Sequence, residues 1–117
     1  MIELRNLRKT YNGVEVLKGI NLKIENGEVV SIIGASGAGK STMLRCINFL
    51  EKKDEGEIIV DGISIGNSSS EINDLRKKVG MVFQSFNLFS NMTVLKNVMS
   101  GIITVKKEPK KKAEKIA

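Results

Sequence analysis

The first third of the chain places apolar and polar residues in short runs punctuated by two Asn-Gly pairs, Asn12-Gly13 and Asn26-Gly27. Asn-Gly supplies the positive φ angles of tight turns, so this region predicts short antiparallel strands. Asn21-Leu22-Lys23-Ile24-Glu25 keeps a period of two, as a strand with one buried face does. The pattern then changes. Val29-Val30-Ser31-Ile32-Ile33 is apolar toward both faces, which predicts a central parallel strand running directly into Gly34. From Lys40 to Glu51 the apolar positions 43, 44, 47 and 50 have helical spacing. Lys52 and Lys53 suit the negative end of that helix, and Gly56 stands where it could close it.

Glu57 to Ile65 reads as another hairpin, turning at Asp61-Gly62, and residues 66–70 form a polar connection. A short helix is expected from Glu71 to Lys77 with Ser70 as N-cap, followed by an apolar strand, Val79 to Phe83, that stops at Gln84. Thr93 is placed to cap a helix bearing Val94, Leu95, Val98 and Met99, and Pro109 starts or precedes a last lysine-rich helical piece. No internal repeat is visible.

Composition narrows the class. A chain of 117 residues is one domain or part of one. With 41% hydrophobic and 27% charged residues it has the balance of a soluble globular protein, neither disordered nor fibrous. Its apolar runs fall far short of the ~20 residues of a membrane helix, and the N-terminal MIELRNLRKTY lacks the apolar centre of a signal peptide, so a cytosolic chain is expected. The single cysteine, Cys46, lies on an apolar helical face and reads as a buried thiol. The net charge of +6 raises nucleic acid as a partner, but residues 106–117 carry +4 of it, six lysines against Glu108 and Glu114. The basicity is that of a solvated tail, and no nucleic-acid partner is expected.

Gly34-Ala35-Ser36-Gly37-Ala38-Gly39-Lys40-Ser41 matches G-x-x-x-x-G-K-[ST], the phosphate-binding P-loop, between an expected strand and an expected helix. Gly34, Gly37 and Gly39 permit backbone angles and close approaches that let successive N–H groups converge on phosphate oxygens. The helix beginning near Lys40 directs its free amides and its positive end at the same place. Lys40 adds a mobile charge for the β and γ phosphates, the Ser41 hydroxyl is the expected magnesium ligand, and Thr42 brings another hydroxyl nearby. ATP with Mg²⁺ is the expected ligand; no Asn-Lys-x-Asp segment of guanine-specific P-loop proteins is present in the chain.

Beyond this loop the order of features resembles the ATP-binding subunit of ABC transporters. VLKGINLKIENGEVVSIIG has that family's look, Tyr11 matches its aromatic position that stacks on adenine, and VGMVFQSFNLF places Gln84 at its Q-loop glutamine. The resemblance implies that Gln84 reaches magnesium and the attacking water. Read by themselves, Tyr11 is a packing residue near a turn and Gln84 a polar strand end. LRCINFLE, VGMVFQSFNLF and NMTVLKNV resemble the subunits that energise bacterial uptake of polar amino acids, and importers of methionine or phosphonate share parts of the pattern. The implied partners are transmembrane permease subunits docking on residues 85–101, a second ATP-binding subunit, and, indirectly, an extracytoplasmic substrate-binding protein. The implied location is the cytoplasmic face of the cell membrane. Phe86, Leu88, Phe89 and Met92 suit either that docking groove or core packing. Ala35 and Ala38 replace a proline and a serine common in the family, and Lys96 replaces a glutamate, removing a capping-box partner.

The implied fold is α/β, the N-terminal half of a P-loop NTPase: an antiparallel β-subdomain plus an incomplete RecA-like parallel core. Its expected parts are residues 1–27 (antiparallel β), 28–56 (P-loop strand and helix), 57–84 (hairpin and Q-loop strand) and 85–117 (the start of a helical subdomain). The 117 residues hold no Leu-Ser-Gly-Gly-Gln signature, no apolar strand ending in Asp-Glu, and no histidine. Asp61 follows an apolar run, but Gly62 behind it marks a hairpin rather than the magnesium-binding strand. These residues alone are therefore expected to hold ATP without hydrolysing it usefully, and apolar strands 29–33 and 79–83 are expected to lack neighbours. The alternative to an importer subunit is a truncated or vestigial nucleotide-binding fragment without turnover. A small P-loop kinase would need a lid or acceptor site, and the sequence offers none.

Overall fold

The computed structural model describes residues 1–117, which divide into two units, Met1–Arg76 and Lys77–Ala117. The first unit is built on an antiparallel sheet. Strands β1 (Ile2–Tyr11) and β2 (Val14–Ile24) form a hairpin at Asn12-Gly13, where φ is +48° and +79° as the sequence requires. After helix α1 (Lys40–Ile47), strands β3 (Glu55–Val60) and β4 (Ile63–Ser64) turn at Asp61-Gly62, with φ of +51° and +79°. The sheet order is β2-β1-β3-β4, so β1 is interior and pairs with both β2 and β3.

The register of β1 explains the core. Leu4 lies opposite Leu22 and Ile58, and past it both ladders slip by one residue, because β1 carries an extra residue around Asn6, whose φ is +49°; the β2 ladder slips back between Leu7 and Arg8. Strict alternation would send Leu4 and Leu7 to opposite faces. With the bulge between them, both are buried, together with Leu17, Ile58, Ile59 and Val60.

Gly56 does not close α1, as its position in the sequence led one to expect. It lies in β3 beside the bulge, with φ +92°, where a Cβ would press on the Asn6 carbonyl oxygen and sit 2.6 Å from that of Arg5. The helix instead ends at Ile47, and Phe49 reverses the chain with φ +53° while Leu50 donates its N–H to the Arg45 carbonyl at 2.9 Å. The buried face of α1 is narrower than the apolar spacing suggests. Met43, Cys46 and Ile47 are buried, whereas Leu44 and Leu50, which the expected longer helix would place on that face, are exposed. Arg76 of helix α2 (Ser69–Lys78) donates to the freed carbonyls of Asn48 and Phe49, at 3.2 and 2.9 Å. The N-cap of α2 is Ser68, whose hydroxyl accepts from the Glu71 N–H, and not Ser70.

The two apolar segments expected to lack neighbours do lack them, and they differ from expectation only in forming no strand at all. Residues 28–33 and 79–83 adopt no strand, and Val29, Ile33 and Val82 are 93%, 94% and 97% exposed. Asn26-Gly27 makes its turn, with Glu28 N–H bonded to the Glu25 carbonyl, but the chain beyond it pairs with nothing. A strand is held by a neighbour's N–H and C=O groups, and neither segment finds one.

The second unit packs helix α3 (Val94–Thr104) against α4 (Lys110–Ile116), burying Met99 and Ala113. Thr93 caps α3 by accepting from the Lys96 N–H at 3.3 Å, and Pro109 stands at the N-cap of α4, both as the sequence indicates. No helix of the structure is long and apolar enough to cross a membrane.

Candidate functional site

The glycine-rich segment emerges from the exposed 28–33 stretch and closes on α1. Residues 36–39 form turns, Ala38 N–H bonds the Ala35 carbonyl at 3.1 Å, and Gly37 and Gly39 have φ of +79° and +93°. Gly39 is needed twice over. It is the N-cap of α1 in the left-handed region, and a Cβ there would meet Val16 Cγ1 at 2.9 Å and Leu17 Cδ2 at 3.1 Å. The loop is thereby pressed onto β2. Gly34 differs, because its φ is not positive and an added Cβ would rest in ordinary contact with Ala38 Cβ at 3.6 Å.

Lys40, the first residue of α1, folds its side chain back into the loop, with Nζ donating to the Gly34 and Ala35 carbonyls at 2.6 and 2.5 Å. The N-terminal turn of α1 has no side-chain cap and no acidic residue, so its amides and its dipole are uncompensated from within the helix. Such an arrangement of loop amides, helix end and ammonium favours an anion.

Beside the loop lies a cleft of about 410 Å³ lined by Tyr11, Val16, Ser36, Gly37, Gly39, Lys40, Ser41 and Thr42. The structure thus brings Tyr11, 29 positions before Lys40, to the same cavity as the loop's lysine and hydroxyls, through the β1–β2 hairpin. Ala35 takes part through its carbonyl. Ala38 faces a separate cavity lined by Val14, Glu15 and Gly37 among others. Gln84 belongs to the second unit, in a stretch without regular structure.

Val16 was not legible as a site residue. Its signal was indirect, since the turn at Asn12-Gly13 pairs Tyr11 with Val14 and so carries Val16 toward the loop. Lys9 was also missed: its Nζ lies 5.1 Å from the centroid of the Tyr11 ring. Cys46, in α1 behind the loop, is buried, and that burial pushes its thiol pKa up. Asp61 sits in the β3–β4 turn, 3.1 Å from the N-terminal ammonium.

In the second unit, residues 86–95 expose Phe86, Leu88, Phe89, Met92, Val94 and Leu95. Asn97 of α3 fixes this stretch. Its Oδ1 accepts from the Phe89 N–H at 2.9 Å, and its Nδ2 approaches the carbonyls of Phe89, Met92 and Thr93 at 3.2, 3.2 and 3.0 Å.

Residues 17–117 match the sequence model of the family described as ABC transporter. The chain is similar to the general L-amino acid transport ATP-binding protein AapP of Rhizobium johnstonii, 49% identical over 99% of this chain and 45% of that protein. It is similar too to the glutamine transport ATP-binding protein GlnQ of Geobacillus stearothermophilus, 49% identical over 100% of this chain and 48% of that protein. The chain thus spans about half the length of the curated relatives it matches. Among solved structures, a dimeric ATP-binding cassette in a post-hydrolysis state bound to ADP and Pi superposes with a TM-score of 0.87 and 40% identity, over 98% of this chain and 53% of that one.

Proposed function

Because this chain belongs to the ABC transporter family, we propose that its glycine-rich loop is the nucleotide cradle of the ATP-binding subunit of an importer of polar amino acids. The observation that carries this reading is the gathering of Tyr11, Lys40, Ser41 and Thr42 around one cleft. Tyr11 offers an aromatic face for adenine. The amides of residues 36–41 and the end of α1 take the phosphates, and Lys40 exchanges its two carbonyl partners for phosphate oxygens. Magnesium suits this donor set. Mg²⁺ is held by few protein oxygens and by the nucleotide's own phosphates, so the Ser41 hydroxyl supplies what is needed at the helix start. When bound, the ion neutralises phosphate charge. In the whole protein Gln84 would offer its amide to the ion and to the attacking water, as the family resemblance implies.

The exposed apolar residues of 86–95, held by Asn97, form the face offered to the transmembrane permease subunits. The whole protein works as a dimer of ATP-binding subunits at the cytoplasmic face of the membrane, served by an extracytoplasmic binding protein. The 117 residues alone hold ATP with little turnover, since no residue in them supplies the signature, the water-orienting glutamate or the switch histidine.

Titration of the chain with a fluorescent ATP analogue and Mg²⁺ tests the cradle. Lys40→Ala weakens binding about 10- to 100-fold, as loss of a charge-assisted hydrogen bond requires. Equal affinity of the two chains overturns the reading.

A further inference from the structure

Lys9 sits two residues before Tyr11 on β1, so both side chains share a face of the strand. Its ammonium is not free to meet a ligand. It donates to the Lys52 carbonyl at 2.7 Å and pairs with Glu51 at 3.4 Å and Asp54 at 3.7 Å, and its side chain is only 12% exposed. Asp54 in turn accepts from the Thr10 N–H at 2.6 Å and donates its own N–H to the Arg8 carbonyl at 3.0 Å. Three consecutive residues of β1 are thus tied to the corner that follows α1. Burial disfavours the charge on Lys9, but Asp54 and Glu51 outweigh it and the pKa is raised, so the ammonium persists at neutral pH.

From this anchored position Nζ lies 5.1 Å from the centroid of the Tyr11 ring, within cation–π range. Tyr11 lines the cleft and Lys9 is not among its lining residues. A ring on an exposed strand end would otherwise turn freely about its side-chain torsions, and a base stacking on it would have to stop that motion. We infer that Lys9 is a positioning residue for base recognition, holding one face of the Tyr11 ring so that the other meets a purine in the cleft. This rests on the nucleotide reading above. The corner at residues 51–54 also gives that positioning a route to the loop: the chain that leaves the helix beginning at Lys40 runs, a few residues past its end at Ile47, into the segment that fixes Lys9. Phosphate-binding and base-binding parts of the cleft are therefore linked through the chain that leaves α1.

Calorimetric binding of Mg-ATP and of Mg-tripolyphosphate, which carries the charge without the base, separates positioning from general damage. Lys9→Met weakens ATP binding about three- to tenfold while tripolyphosphate changes by less than about twofold, in keeping with a cation–π contact in a partly desolvated place. Lys9→Arg restores ATP binding, because a guanidinium pairs with the same carboxylates and stacks on the ring. Unchanged ATP affinity in Lys9→Met, or an equal loss of both ligands, overturns the inference. If circular dichroism shows Lys9→Met to be unfolded, Glu51→Gln removes one anchor with Lys9 in place. A selective loss for ATP of about twofold then supports positioning, and its absence overturns it. Failure of the unaltered chain to bind either ligand sinks the nucleotide reading itself, whereas binding of both with no selective loss sinks only the role of Lys9.

Discussion

Leu4 and Ile33 are both large aliphatic residues in runs of strong β propensity, yet Leu4 is 1% exposed and Ile33 is 94% exposed. The difference lies in what each run can reach. Strand β1 is joined to β2 by a two-residue turn, and β3 reaches its other edge, so every step of Leu4's surroundings is supplied within 60 residues. Residues 29–33 read as a parallel strand, and parallel pairing needs a crossover and neighbours from distant sequence. Apolar character therefore says that a segment must be covered, and topology says by what. Residues 79–83 repeat the lesson in the second unit, where Val82 is exposed.

The sharpest way to break this contrast is a truncation in the covered region. Leu4→Ala, which empties a fully buried position, lowers stability by about 3 kcal/mol, read as a drop in the urea midpoint. Gly56→Ala comes next. A methyl group against the Asn6 and Arg5 carbonyls, at φ +92°, costs about 2 kcal/mol and disturbs the bulge, which amide exchange at Arg5 to Leu7 reports. Asn97→Ala frees the 89–93 stretch and costs about 1 kcal/mol; proteolysis near Phe89 accelerates while the sheet of the first unit stays protected. Cys46 yields a smaller effect with a defined sign. Its raised pKa means the folded chain holds the thiol proton more tightly than the unfolded one, so its contribution is complete below about pH 8.5 and fades at higher pH. Cys46→Val flattens that alkaline slope in a pH series of urea midpoints. The smallest change belongs to the uncovered segment: Ile33→Ser alters stability by less than about 0.5 kcal/mol. A loss comparable with that of Leu4→Ala would show that residues 29–33 are covered in solution.

Much of the fold was legible because it is local. Asn12-Gly13 and Asp61-Gly62 encode their turns in two residues each, Thr93 caps α3 with its own hydroxyl, and Pro109 starts α4. What misled was spacing that looked local and was not. Leu44 and Leu50 have helical spacing, but Leu44 is exposed on α1 and Leu50 lies beyond its end at Ile47, and Gly56 stood at the right distance to close a helix while its backbone was required by a bulge 50 positions earlier. Ser70 offered the same side chain as Ser68, and only the geometry of the first turn of α2 distinguished them.

By itself the sequence determined the glycine-rich cradle, the helix that follows it and the antiparallel hairpins, because each depends on torsions and hydrogen bonds set within a few residues. Only the tertiary structure decided that Tyr11 shares a cleft with Lys40 and that the Lys9 ammonium lies 5.1 Å from the centre of its ring. Those outcomes depend on which distant backbone and side-chain groups meet, and no short window of residues contains both partners.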